Sequence, residues 1–234
     1  MGVRIPPGTP YYPRVNLSRH ELDANIVNIE LTLASIIQGV ALYFLTENAR
    51  TALSLNNWPS LLYLSAGLCI ICIFWSRSII HTLTLIRWPL EFGHNFLYIA
   101  CALGEAILFT RLERPLAWFR LSTAYSAFVW LLFVYDLRLI RARMRETTSE
   151  PARSLYQRTW EDQLLNIRLL MPGLFFFNLA CALAISHWSD FFLERSGDIW
   201  LIAAQLLSFL IYLVYVTRFY HQIAPLIVRS HEVK

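Results

Sequence analysis

"GHNFLYIACALGEAILF", residues 93–109, decides what kind of protein this is. It is apolar enough to sit in a bilayer, yet it carries His94, Asn95 and Glu105. A carboxylate buried in a membrane segment costs about 3 kcal/mol or more. A segment that keeps one is read first as a functional site and only then as an accident of packing.

The surrounding composition agrees. The chain has 234 residues, 56% hydrophobic and only 15% charged, with a mean hydropathy of +0.46; a soluble domain carries roughly 25% charged residues. Several apolar runs approach the ~20 residues that cross a bilayer as helix. The expected fold is therefore all-α: a polytopic membrane protein built as a bundle of six transmembrane helices in three hairpins. The spans are expected at 26–45, 59–80, 91–111, 116–138, 164–186 and 198–220. A Pro-rich arm (1–17) would precede the six-helix domain (18–223), and a tail (224–234) would follow it. "SRHE" (18–21) and "TWED" (159–162) read as capping boxes, placing helix starts ahead of spans one and five.

Charge sets the expected topology. Nineteen of the 20 cationic residues are Arg and the single Lys is Lys234, which excludes chemistry that needs an intramembrane Lys. Arg4, Arg14 and Arg19 precede span one, and Arg218, Arg229 and Lys234 follow span six. Arg138, Arg141, Arg143, Arg145, Arg153 and Arg158 crowd the connection between spans four and five. An even number of spans puts all of these on one side, which the positive-inside rule makes the cytoplasm. Both termini are then cytoplasmic, and the pI near 9 reflects sorting and not nucleic-acid binding. Arg-rich, Lys-poor usage points to a bacterial inner (plasma) membrane.

No motif of a known catalytic class stands out. Cys69, Cys72, Cys101 and Cys181 all lie within apolar runs, so "CIIC" reads as buried small residues and not as a redox pair. The N-terminus lacks an apolar core followed by a small-residue cleavage site and does not read as a signal peptide. "ACALG" (100–104) and "ACALA" (180–184) would allow close helix approach. A metal or haem site would have to be drawn from His81, His94, His221 and Glu91, at the Arg-rich end. No helix carries a tight ligand pair such as HxxxH, so neither a metal nor any other cofactor is expected, with haem the one alternative.

The remaining signal is positional. Ascending spans carry Asn28, Asn95 and Asn166 near their inner ends, and Gln38, Glu105 and Asn178 follow ten to twelve positions later. Descending spans end in an aromatic before Arg: Trp75 and Arg77, Tyr135 and Arg138, Tyr215 and Arg218. Three repeated hairpins would bring Gln38, Glu105 and Asn178 to one level near the midplane. The same register predicts a salt bridge between Glu30 and Arg168, and hence spans one and five as neighbours. The functional expectation is a small integral membrane channel or transporter for an ion or proton, using an intramembrane carboxylate. The competing expectation is a non-catalytic membrane subunit or scaffold. Its basic face of Arg138, Arg141, Arg143 and Arg145 would bind a protein partner, a second copy or anionic lipid.

Overall fold

The computed structural model describes residues 19–54, 58–85 and 92–232. The Pro-rich arm, Glu91 and Lys234 lie outside these, as does Ser18 of the first capping box. Seven α-helices run in order: α1 (Arg19–Ser54), α2 (Trp58–Thr84), α3 (Phe92–Phe109), α4 (Pro115–Glu146), α5 (Glu150–Leu165), α6 (Met171–His187) and α7 (Asp198–Glu232). A π-helical turn, Asn166–Leu170, joins α5 to α6 without a break, and a second one spans Asp190–Glu194. Counting Glu150–His187 as one unit, six helices are long and apolar enough to cross a membrane. This is the build of a multi-pass membrane protein.

Three boundaries differ from the sequence reading. The connection after α4 is only 147–149, because α4 continues to Glu146 and α5 starts at Glu150 behind Ser149 with Pro at its first turn. "TWED" therefore lies inside α5, where the Thr159 hydroxyl bonds back to the Leu155 carbonyl at 2.9 Å instead of capping anything. The segment from 224 continues α7 as far as Glu232, through Pro225.

Helix neighbours form a ring in the order α1, α2, α7, α5–α6, α4, α3 and back to α1. Spans one and five thus sit across the bundle from each other. The Glu30–Arg168 bridge is not made: Glu30 accepts a 2.8 Å bond from Asn95, and Arg168 is exposed. The physical reason lies in parallel packing. α1 and α3 run the same way, so Glu30 meets Asn95 and Gln38 meets Glu105 along one seam, and Glu30 is satisfied there.

Away from the Arg-rich end the core is tightly filled. Ala66, Cys101, Leu108, Phe109, Trp118 and Phe119 are all buried in one cluster. Small residues draw α2 close to its neighbours. A Cβ on Gly67 would lie 2.7 Å from Leu45 Cδ1 and 3.1 Å from Phe109 Cε1. Gly67→Leu should therefore destabilise by about 1–3 kcal/mol through overpacking, read as a fall in Tm in detergent. An unchanged Tm would mean that α1 and α3 do not press on α2 there.

Candidate functional site

The polar core is built from helical registers. On α2, Arg77 and His81 stand one turn apart on a buried face with Ser78 beside Arg77. On α3, His94, Tyr98, Cys101 and Glu105 follow the i, i+4, i+7, i+11 spacing of one helical stripe, and all four are buried. On α4 the buried face carries Phe133, Asp136, Ile140 and Arg143.

Their centre is Asp136, which is fully buried. His94 Nδ1 lies 2.7 Å from Asp136 Oδ1, and His81 Nδ1 lies 2.9 Å from Oδ2. One carboxylate thus holds two imidazoles from two other helices. The His94 contact has hydrogen-bond geometry, while the His81 contact is an ion-pair approach with poorer alignment. Turning Nδ1 to a carboxylate fixes the N–H on that nitrogen and leaves Nε2 as the acceptor of a neutral ring. His81 Nε2 is buried and has no hydrogen-bond partner.

Next to it lies a second ionic cluster. Arg77 Nη2 contacts Asp162 Oδ2 at 2.7 Å, with both side chains buried. The Tyr215 hydroxyl donates to Asp162 Oδ1 at 2.6 Å, and the Arg77 guanidinium carbon sits 5.2 Å from the Phe133 ring centroid. Gln163 donates to the Phe133 carbonyl at 2.7 Å. Asn166 opens the π-helical turn and accepts from the Tyr212 hydroxyl. Extra residues of this kind inside helices often mark functional positions. Here the turn begins just beyond the segment that places Asp162 and Gln163 on the core side, and its first residue, Asn166, is buried with them. Arg77 Nε and Nη1 are buried without partners.

A pocket opens between the two clusters, lined among others by Glu30, Arg77, Ser78, His81, His94 and Tyr98. It offers about 30 Å³ to water-sized occupants, room for roughly two waters at ~10–15 Å³ each. Ser78 donates to the Phe74 carbonyl at 2.7 Å and lies 3.0 Å from the Tyr98 hydroxyl, which ties α2 to α3 at this level.

The residues picked out from sequence distribute as follows. Gln38 Nε2 donates to Glu105 Oε2 at 3.3 Å, so these two meet. Glu105 lies 13 residues into α3, about 20 Å along its axis, nearer the helix's far end than its middle. Asn178 does not join them: it accepts from Gln205 at 2.6 Å, and Gln205 in turn accepts from Trp118 Nε1 at 2.8 Å. The cause is ring position, since α6 packs on α4 and not on α1 or α3. The three repeat asparagines are also inequivalent, Asn28 being exposed and Asn166 buried. Of the basic rim, Arg138, Arg141 and Arg145 are exposed, with Arg141 stacked 4.6 Å over Trp160. Arg143 is buried and bonds the Leu85 carbonyl at 3.3 Å, closing the end of α2.

The sequence marks His81 and His94 as candidates for a metal or haem site, and the structure places both against Asp136. His221 is exposed elsewhere. Among the described residues no group of three His, Cys, Asp or Glu side chains is arranged to hold a metal ion. No protein-family model, curated relative or solved structure matches this chain.

Proposed function

We propose that this chain is a small membrane channel or transporter for a proton or small ion, working through the Asp136–His81–His94 centre at its Arg-rich end. That end would face the cytoplasm, in a bacterial inner membrane. One observation carries the reading: a fully buried carboxylate bridges two imidazoles beside a water-sized pocket. A purely structural clamp would need one satisfied pair. This centre instead holds two imidazoles on one carboxylate and leaves His81 Nε2 and two guanidinium nitrogens of Arg77 without partners. Buried ionisable groups left in that state are expensive unless they are used.

The test is flux in vesicles reconstituted with the pure protein and loaded with a pH-sensitive dye, in parallel with ion-selective electrodes. Wild-type protein should pass protons or a small ion down an imposed gradient, and Asp136→Asn should not. A wild type indistinguishable from empty vesicles would overturn the proposal in favour of a membrane scaffold.

The exposed Arg138, Arg141 and Arg145 serve either role by holding anionic headgroups at the membrane surface. Binding of the detergent-solubilised protein to vesicles containing phosphatidylglycerol should fall steeply as salt rises past about 0.1 M, where the screening length shrinks to about 10 Å. Retention that ignores ionic strength would assign that surface no electrostatic role.

A further inference from the structure

Resting on the transport reading, we infer that the species handled at this site is the proton, exchanged between Glu30 and the Asp136 imidazole pair through water held in the pocket by Arg77 and His81. Three observations on the pocket select it. The first is size. A space for roughly two waters leaves no room for a hydrated ion, so any ion other than a proton would have to enter stripped of water.

The second is charge. An anion would face Glu30, which lines the same pocket, and Asp136 just behind the imidazoles. Counting the groups that surround it, Arg77 is offset by Asp162. What remains is Glu30 and Asp136 against His81 and His94. With both rings protonated that remainder sums to zero, and with fewer protons it is negative. The site therefore gains nothing from an inorganic anion and can store protons. Tyr98 also faces the pocket, and Tyr215 stands behind it on Asp162; both enter the count as neutral hydroxyls.

The third is the pattern of open valences. Arg77 and His81 both line this small space; Arg77 Nε and Nη1 are donors and neutral His81 Nε2 is an acceptor, all buried and without partners. Water brought against these groups would meet both needs at once, since each molecule donates and accepts. The transfer balances simply. A proton leaves the Glu30 carboxyl for a pocket water, and that water gives one of its own to His81 Nε2. The imidazolium so formed keeps its Nδ1 proton facing Asp136 Oδ2, 2.9 Å away, and its charge is balanced by the Asp136 carboxylate, whose other oxygen holds the Nδ1 proton of His94 at 2.7 Å. Arg77 moves no proton; it orients the water.

The test separates this from the transport reading itself. Voltage-driven uptake is measured in vesicles while sodium or potassium is replaced by N-methylglucamine and chloride by gluconate. Proton flux that persists under every replacement, and slows about 100-fold in Glu30→Gln (the lower range for a positioned acid–base group), supports the inference. The Gln side chain can still accept from Asn95, so that variant is expected to fold. Flux that follows the metal cation or the halide overturns the inference and leaves the transport reading intact. If wild type conducts nothing, the transport reading falls, and infrared titration of the solubilised protein between about pH 5 and 8, the window in which imidazoles change charge, decides the inference separately. A buried carboxylic band that shifts in D2O and is lost in Glu30→Gln supports it. No titrating band overturns it.

Discussion

Arg77→Met should lower the stability of the solubilised protein by about 3–5 kcal/mol, the range for removing one member of a buried ion pair. For a chain of this size that is a fall in Tm on the order of 10 °C. The loss comes less from the missing attraction than from what is left behind. Asp162 is buried, accepts from Tyr215, and would keep a charge that no remaining cation offsets. The double variant Arg77→Met, Asp162→Leu removes both charges and fills the space with apolar side chains. It should recover most of the loss, short of the Tyr215 hydroxyl bond that it also breaks. Thermal unfolding followed by tryptophan fluorescence separates the cases. A double variant no better than the single one would mean that Arg77 stabilises mainly through its packing on Phe133 and Phe219.

How far the site was legible in the sequence depends on whether its signal was local. The six spans follow from apolar run lengths, and the meeting of Gln38 with Glu105 follows from their equal height on parallel helices. Asp136 was hidden by its neighbours. In "VYDLR" it sits between Tyr135 and Arg138, which reads as an ordinary interfacial belt at the end of a span. α4 runs some ten residues further, to Glu146, so Asp136 is flanked by helix on both sides and turned inward. Asp162 was hidden by a false start. "TWED" resembles a cap, yet "SEP" at 149–151 begins the helix earlier. The buried positions Leu155, Thr159, Asp162, Gln163 and Asn166 then form one helical face. That face mixes apolar and polar residues, so hydrophobic periodicity does not reveal it. Which imidazole meets which carboxylate depends on the order of helices around the ring, and no local pattern encodes that.

The last expected result concerns the two carboxyls together. Asp136→Asn and Glu105→Gln should each abolish proton flux, and for different reasons. An amide in place of the Asp136 carboxylate keeps the size of the side chain and can accept from one imidazole N–H, so the three helices stay joined and Tm changes little. It carries no negative charge to balance the imidazolium that receives the proton, and transfer stops at that point. Glu105 lies seven residues beyond Tyr98 on the same stripe of α3, about 10 Å further from the Arg-rich end. Its Oε2 takes the amide of Gln38, while its Oε1 and the Gln38 carbonyl oxygen are buried without partners. Both oxygens are acceptors left unsatisfied in the bundle interior, and a proton on Glu105 relieves that state by making one of them a donor. Gln in its place donates permanently and satisfies Gln38 at least as well, so stability should hold or rise while flux disappears. Flux that survives Glu105→Gln but not Asp136→Asn would confine the relay to the Arg-rich half and leave Glu105 as a packing hydrogen bond between α1 and α3. Flux that survives both would remove the buried carboxyls from the path altogether.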